Sequence, residues 1–272
     1  MYSNILLATD LSEPSMLAAA AARDLATTFS ARLTLLHICA EESVETGKEY
    51  LNVLREERFA THDDVTLRVL PHMRADVAIC GEAMTAKADL IVMGRHGAHR
   101  ISERLLGSTT ERVVRHAPCS VWVVHPARRD PLVLTKHIMV GTDFSKKARD
   151  AVAQTGDLAR ELGAWVTLMH VYDLFPPASV LEEPYADHPD DPSFMGIIGD
   201  KLDALRAELL VKVPGECKIL RDKSTVTAMV DFAGDEHVDL VVVGTHGRTG
   251  ATRLLMGSVA ERVVRHAPSS VL

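Results

Sequence analysis

The chain has little of what marks exported, membrane-spanning or nucleic-acid-binding proteins. Its four cysteines are scattered, without a Cys-x-x-Cys pair or zinc spacing, so we expect free, buried thiols in a reducing compartment. Aromatic residues make up 4% and acidic residues outnumber basic ones by 37 to 30, which argues against a nucleic-acid surface. The apolar runs are strand-sized, and Asp10 interrupts the first of them. The sequence therefore predicts a soluble, cytoplasmic protein without a membrane span or secretory signal.

Three well-known site motifs are also absent. The chain has no G-x-x-x-x-G-K-[ST], no G-x-G-x-x-G after a first strand, and no G-x-S-x-G. A P-loop, a Rossmann dinucleotide site and an α/β-hydrolase nucleophile are therefore not expected.

What the chain does have is an internal repeat. NILLATDLS (4–12) and ARLTLLHI (31–38) recur 133 positions later as HIMVGTDFS and AWVTLMHV. The segments 88–97 and 107–121 recur 150 positions later. The change in offset indicates an insertion near 173–195, rich in proline and acidic residues, which we expect to form an extended loop. The repeat predicts a first domain at 1–126, a linker at 127–136 and a second domain at 137–272.

Each repeat alternates short apolar runs with helical patterns. In the first, the strands are predicted at 5–8, 33–38, 65–70, 90–93 and 121–124. The helices are predicted at 13–29, 43–58, 74–86 and 109–116. Arg68 breaks the third apolar run, as expected of an edge strand. Five strands separated by four helices predict a doubly wound α/β unit with a parallel sheet, present twice in tandem.

A glycine-rich loop follows the fourth strand of each repeat with the spacing G-x2-G-x9-G-S. Its members are Gly94, Gly97, Gly107 and Ser108, and again Gly244, Gly247, Gly257 and Ser258. In this architecture ligands bind beyond the carboxyl ends of the strands. Glycine lets backbone N–H groups approach an anion, and the helix that follows offers further donors. The alternative is structural: each serine begins S-x-x-E, with Glu111 or Glu261, which is a helix capping box and needs no ligand.

Polar residues also stand at the ends of the first two strands of each repeat. Asp10 and Asp143 end the first strand, where a carboxylate could bind a ribose hydroxyl or a metal ion. The alternative is an acid before a helix that Ser12 or Ser145 caps. His37 and His170 close the second strand and are interpreted as structural rather than as bases.

These loops, the ATDLS and GTDFS strand ends and the ERVVRHAP helices together resemble tandem universal stress proteins. The resemblance covers nearly the whole chain and implies a five-stranded parallel sheet of order 3-2-1-4-5 in each unit, with ATP at the strand ends. It implies that phosphates and ribose meet Gly94, Gly97, Gly107, Ser108 and Thr109, or Gly244, Gly247, Gly257, Ser258 and Val259. It places adenine against Ala8, Thr9, Asp10 and Ile38, or Gly141, Thr142, Asp143 and Val171. Asp10 and Asp143 would also face a Mg²⁺ ion carried by the nucleotide.

The two glycine loops differ in their middle. The first has Ala98, His99 and Arg100 where the second has Arg248, Thr249 and Gly250. Because an arginine replaces a glycine that can take positive φ or approach a ligand closely, we expect the second repeat to bind nucleotide more tightly. The resemblance further implies pairing of the fifth strands, within the chain as a pseudo-dimer or between chains in a homodimer.

Three functions remain open from the sequence. The first is a cytoplasmic ATP-binding stress-response protein that acts as a nucleotide-dependent signalling or regulatory module. The second is a slow ATPase, or a phosphoryl or adenylyl transferase, that uses the same pocket. The third is an interaction scaffold that retains the glycines for folding and binds no nucleotide.

Overall fold

A computed structural model describes residues 2–71, 74–97, 106–126, 135–173, 192–222, 224–245 and 256–272. By their contacts these residues form two compact units. Unit 1 contains residues 1–134 together with 264–272, and unit 2 contains residues 135–263. The boundaries at 126 and 137 come from the sequence repeat and stay a prediction.

Unit 1 is a parallel α/β sheet with helices between its strands. Its strands are β1 (Asn4–Thr9), β2 (Arg32–Cys39), β3 (Val65–Pro71), β4 (Leu90–Gly94) and β5 (Ser120–Val124). Its helices are α1 (Glu13–Phe29), α2 (Val44–Arg58), α3 (Ala75–Thr85) and α4 (Ser108–His116), with a 3-10 turn at Glu41–Ser43. The strand order is β3-β2-β1-β4-β5 and all four neighbouring pairs are parallel.

The central strands of unit 1 are apolar because both of their faces are covered. Leu6, Leu7 and Leu35 have no exposed surface, as expected for a parallel sheet between two helical layers. The strand β3 lies at the edge of unit 1, as Arg68 indicated. The Nε of Arg68 donates to Glu82 of α3 at 2.9 Å, so this strand's charge is neutralised locally.

Unit 2 repeats the plan. It contains β6 (His137–Gly141), β7 (Trp165–Asp173), β8 (Gly215–Asp222) and β9 (Leu240–Val242), with α5 (Lys146–Leu162), α6 (Pro192–Leu209) and α7 (Thr225–Asp235) between them. Its order is β8-β7-β6-β9, again parallel. The helix α8 (Ser258–His266) follows β9 along the chain, and β10 (Ser270–Val271) follows α8.

The strand β10 belongs to residues 264–272, which are grouped with unit 1. There it lies antiparallel to β5, with Val271 opposite Val123. The predicted fold class, two tandem doubly wound α/β units, is confirmed, and so is the order 3-2-1-4-5 in unit 1.

Two details of the sequence interpretation need correction. Part of the insertion near 173–195 is regular structure, since β7 extends to Asp173 and α6 begins at Pro192; residues 174–191 lie outside the described residues, as do linker residues 127–134. The four cysteines are free, as predicted, but half-buried rather than buried. Burial still raises the pKa of the Cys119 thiol to about 12.

No helix in the described part of the chain combines the length and apolar character needed to cross a membrane.

Candidate functional site

The turn between the first strand and the first helix has the same geometry in both repeats. Leu11 and Phe144 both have φ of 63°, a left-handed conformation that non-glycine residues rarely adopt. A threonine hydroxyl stabilises it each time, because Oγ1 of Thr9 accepts from the Leu11 N–H and Oγ1 of Thr142 accepts from the Phe144 N–H, both at 3.0 Å. Strained residues of this kind concentrate at functional sites.

The strand-end aspartates fold back on this turn. Oδ1 of Asp10 accepts from the Ser12 N–H at 3.1 Å and also from the Ser12 hydroxyl. Oδ1 of Asp143 accepts from the Ser145 N–H at 3.0 Å. Ser145 caps α5 by accepting from the Ala148 N–H at 3.3 Å, as predicted. Ser12 is the N-cap residue of α1, as the structural alternative expected, but its hydroxyl bonds to Asp10 and makes no capping hydrogen bond.

The histidines that close the second strands are structural. Nδ1 of His37 lies 3.0 Å from the Thr9 carbonyl oxygen, and Nδ1 of His170 lies 2.7 Å from that of Thr142. Each nitrogen donates to the end of the neighbouring first strand, which holds the two strand ends together. The interpretation of these histidines as structural residues agrees with this geometry.

The glycine loop closes in the same way in both repeats. In the first, the Gly107 N–H donates to the Arg95 carbonyl at 2.9 Å. In the second, the Gly257 N–H donates to the Thr245 carbonyl at 2.7 Å. This bond brings the third glycine beside the residue that follows the first glycine, so the start of the next helix lies at the end of the fourth strand.

Two glycines of the first loop stand where a Cβ would meet close neighbours. A Cβ added to Gly97 would overlap Oδ2 of Asp10 and lie 3.2 Å from its Cγ. A Cβ added to Gly107 would lie 3.1 Å from Cα of His96. The motif glycines therefore let the Asp10 carboxylate and the loop backbone converge on one small volume.

The predicted capping boxes do not form. Gly107, not Ser108, is the N-cap of α4, and Ser108 is the exposed first residue of the helix. The first helical bond runs from the Glu111 N–H to the Gly107 carbonyl at 2.9 Å. Likewise, the Glu261 N–H donates to the Gly257 carbonyl at 3.1 Å. Because each helix begins one residue earlier than a capping box requires, the serine hydroxyl is not committed to capping.

A pocket of about 140 Å³ opens at the carboxyl ends of β1 and β4 in unit 1. Seven of the nine residues predicted for the first site line it: Ala8, Thr9, Asp10, Ile38, Gly94, Gly97 and Thr109. The other two, Gly107 and Ser108, are not part of its lining and stand at the start of α4.

The sequence interpretation missed six residues that line the same pocket. They are Ser15, Ala75, Ile79, Met93, His96 and Thr110. Met93 and His96 adjoin motif residues, and Ala75 and Ile79 are four apart on α3, so helical spacing could have identified that face. Nothing in the motif indicated Ser15 and Thr110. Their hydroxyls are buried, the first 2.9 Å from Thr9 Oγ1 and the second donating to the Gly94 carbonyl at 2.9 Å.

The second site is described in part. Gly141, Thr142 and Asp143 lie at the end of β6, as Ala8, Thr9 and Asp10 lie at the end of β1. The other described members of the predicted set are Val171, Gly244, Gly257, Ser258 and Val259. Gly247 lies outside the described residues. A Cβ on Gly141 would come within 2.7 Å of Cε of Met229, so this strand end is also closely packed.

Two groups near the first pocket, His125 and Arg95, have pKa values shifted by burial. The pKa of His125, at the end of β5, is lowered to about 4 by burial first and then by the charges of Arg95 and His96. Burial also lowers the pKa of Arg95. Among the residues that the structure describes, no group of three or more His, Cys, Asp or Glu could hold a metal ion.

The architecture and the site together define a class: doubly wound α/β units whose glycine loop and strand-end aspartate line a pocket at the topological switch point. The family model for the universal stress protein family matches residues 1–125 and again residues 135–272. The chain belongs to the universal stress protein family.

The curated relatives agree with this assignment. A universal stress protein of Methanocaldococcus jannaschii is 32% identical over 143 residues, which are 51% of this chain and 81% of that protein. One of Mycobacterium tuberculosis is 30% identical over 191 residues, which are 70% of this chain but only 62% of that protein. The chain thus spans less than two thirds of the mycobacterial relative.

Solved structures support the fold over the full chain. A putative universal stress protein from Pseudomonas aeruginosa has a TM-score of 0.73 at 18% identity, covering 99% of this chain and 92% of that one. A universal stress protein from Archaeoglobus fulgidus has a TM-score of 0.69 at 20% identity, covering 98% and 94%. At these identities the likeness concerns the fold alone.

Proposed function

We propose that this protein binds ATP in the pocket of unit 1 and in the corresponding site of the second repeat. One observation carries the proposal: seven of the nine residues that the family resemblance implies for the first site line a single pocket at the carboxyl ends of the strands. Ligands of doubly wound sheets bind at this edge, where the strand order reverses.

The pocket suits the base and the ribose better than the whole nucleotide. Ile38, Ile79 and Met93 supply apolar surface, and Asp10 supplies acceptors for ribose hydroxyls. Gly107 and Ser108 are not part of the pocket lining, so the phosphates would lie outside the pocket, beside these two residues.

The start of α4 can take those phosphates. The first helical hydrogen bond is donated by Glu111, so the preceding N–H groups, those of Ser108, Thr109 and Thr110, have no partner within the helix. Such N–H groups and the positive end of the helix dipole favour a phosphate. Because Ser108 does not cap the helix, its hydroxyl can donate to the same group. Mg²⁺ would need phosphate oxygens in addition to Asp10, since the described residues contain no complete metal site.

The second repeat is proposed to bind ATP more tightly than the first, because Gly250 stands where the first loop has Arg100. The test is a calorimetric titration of ATP into Gly257→Val and Gly107→Val variants. We expect the first substitution to remove the tighter binding event and the second to remove the weaker one. A silent Gly257→Val variant, with binding abolished by Gly107→Val, would reverse the ranking.

The cellular role that fits such a site is a cytoplasmic stress-response module whose nucleotide occupancy changes its shape or its partner. The two repeats, 1–126 and 137–272, would act as two domains, with the fifth strands pairing within the chain or in a homodimer. Adenine nucleotide as the partner, rather than nucleic acid or membrane, agrees with the excess of acidic residues.

Identification of the small molecules released from purified protein tests the proposal directly. Mass spectrometry of the released fraction should find adenine nucleotide, whereas an interaction scaffold that binds none would release none. Phosphate release over hours, lost in Asp143→Ala while ATP still binds, would instead favour a slow ATPase or a transferase. His37 is not among the residues that line the pocket of unit 1, so it is not placed as the general base that such an enzyme needs.

A further inference from the structure

Arg95 connects the first glycine loop to residues 264–272, which we call the C-terminal segment and which belong to unit 1. Arg95 lies between Gly94 and His96, both of which line the pocket. Only 4% of its surface is exposed. Its Nη1 donates to the Ala267 carbonyl at 2.8 Å, and its Nη2 donates to the Arg265 carbonyl.

The carbonyl of Arg265 belongs to the last turn of α8, and that of Ala267 to the residue that follows the helix. The helix α8 ends at His266, and the last carbonyls of a helix lack intrahelical donors. A cation there also interacts favourably with the helix dipole. Arg95 therefore acts as a cap supplied by the pocket loop to the end of α8.

A second contact ties the same segment to the other end of the glycine loop. Glu111 of α4 forms an ion pair with Arg265, with 3.0 Å between Oε1 of Glu111 and Nη2 of Arg265. Arg265 is thus bound through its carbonyl by Arg95 and through its side chain by Glu111. The Gly107 N–H donates to the Arg95 carbonyl at 2.9 Å, so Arg95 is hydrogen-bonded through its carbonyl to the N-cap of the helix that carries Glu111.

The segment is well packed where these contacts hold it. Val264, Ala267, Ser270 and Val271 are each no more than 4% exposed. The Ser270 hydroxyl accepts from the His125 N–H at 3.2 Å. Undocking would break both hydrogen bonds of the Arg95 guanidinium, and hydrogen bonds from a charged donor are stronger than neutral ones. The position of the loop and the docking of the segment are therefore energetically linked.

The second repeat has no arginine at the position that corresponds to Arg95. Thr245 stands at the position of Arg95, and its carbonyl closes the loop in the same way, at 2.7 Å from the Gly257 nitrogen. A threonine side chain offers neither the positive charge nor the reach of a guanidinium. The comparison separates loop closure, which both repeats share, from the arginine contact, which is specific to the first.

We propose that Arg95 couples nucleotide occupancy of the first pocket to docking of the C-terminal segment. This inference rests on the proposed nucleotide function. A ligand held at Gly94 and Gly97 restricts the loop that carries Arg95, which favours the arrangement in which its guanidinium reaches both carbonyls. The docked segment, in turn, favours the loop conformation that binds the ligand.

Hydrogen exchange of the full chain, with and without Mg·ATP, tests the coupling. In the wild type, ATP should slow amide exchange across 264–272 by about fivefold or more, the lower end of typical coupling between two sites. Arg95→Thr, which installs the residue of the second repeat, should speed this exchange and remove the effect of ATP. Arg32→Thr, at an exposed arginine whose guanidinium faces Asp64, is the matched control and should behave as wild type.

Reciprocity supplies a second readout. If ATP stabilises docking by a given factor, loss of docking must weaken ATP binding to the first pocket by the same factor. Calorimetry in the Gly257→Val background measures that factor in Arg95→Thr. If Arg95→Thr fails to fold, Glu111→Gln is the second variant, because it removes the ion pair with Arg265. ATP should then slow amide exchange across 264–272 less in Glu111→Gln than in the wild type.

The outcomes separate this inference from the function on which it rests. ATP binding with unchanged exchange across 264–272 would overturn the coupling and leave the nucleotide site intact. Absence of ATP binding by calorimetry would overturn both. Protection of the segment that persists in Arg95→Thr would show that the coupling does not pass through this arginine.

Discussion

Replacement of Gly97 by alanine should weaken ATP binding to the first pocket without unfolding the protein. The new Cβ would overlap Oδ2 of Asp10 and lie 3.2 Å from its Cγ. Because Oδ1 of the same carboxylate accepts from the Ser12 N–H at 3.1 Å, the carboxylate cannot rotate away without weakening that bond.

The expected loss of ATP affinity follows from the overlap of the new Cβ with Asp10 and from the hydrogen bond between Asp10 and Ser12. A hydrogen bond to a charged group contributes about 1.5–3 kcal/mol, and overpacking costs about 1–3 kcal/mol. Since about 1.4 kcal/mol corresponds to a tenfold change in affinity, we expect the Kd for ATP to rise about tenfold or more.

The assay is a calorimetric titration of ATP in the Gly257→Val background, where the second site is silenced. Gly81→Ala in α3 is the matched control, because a Cβ at Gly81 would meet nothing within 4 Å. That control should leave the Kd unchanged and stabilise the helix by about 0.5–1 kcal/mol. A folded Gly97→Ala variant that binds ATP as tightly as Gly81→Ala would refute the reasoning.

Three further predictions concern single positions. Ser145→Ala should lower the free energy of unfolding by about 1 kcal/mol, because Ser145 caps α5. Ser108→Ala should change that free energy by less than about 0.5 kcal/mol and should weaken ATP binding. If urea denaturation shows equal losses of stability in the two variants, Ser108 caps its helix after all. Lys87→Gly should stabilise the protein by about 0.5–1 kcal/mol, since exposed Lys87 has φ of 51° after α3; an unchanged or lower melting temperature would contradict this. The pKa of His125 is lowered in the folded state from 6.5 to about 4, so its contribution to stability is complete above about pH 6.5 and is lost as the pH falls towards 4. The decrease in stability between about pH 7 and about pH 5 should therefore be smaller in His125→Gln, and an equal decrease would exclude His125 as its source.

Much of the fold could be predicted because the elements differ in hydrophobic period. The predicted helix 13–29 coincides with α1 (Glu13–Phe29), where Ser12, Pro14 and the alanine-rich face provide both a start signal and a buried side. Apolar runs predicted β1, β2 and β4, because strands of a parallel sheet are buried on both faces and are therefore apolar throughout. The start of α6 at Pro192 was missed, because prolines and acidic residues just before it obscured any helical period.

The site was predictable in its backbone positions and less so in its side chains. Glycine spacing identified the loop, since only glycine tolerates the approach of Asp10 to Gly97. The serine of S-x-x-E suggested a cap, but sequence alone cannot show whether a helix begins at the serine or one residue before it. Two of the residues that were not predicted, Thr110 and Arg95, contact residues distant in sequence. Ser15 contacts Thr9 across the strand–helix turn. No local sequence pattern indicates contacts of these kinds.

Native mass spectrometry of the intact chain titrated with Mg·ATP tests the central claim most directly, because it counts the bound nucleotides. The account predicts up to two ATP molecules per chain, with the weaker event lost in Gly107→Val and retained in Gly257→Val. Binding that is indifferent to both substitutions, or no ATP bound to the wild type, would contradict a nucleotide site at the glycine loops.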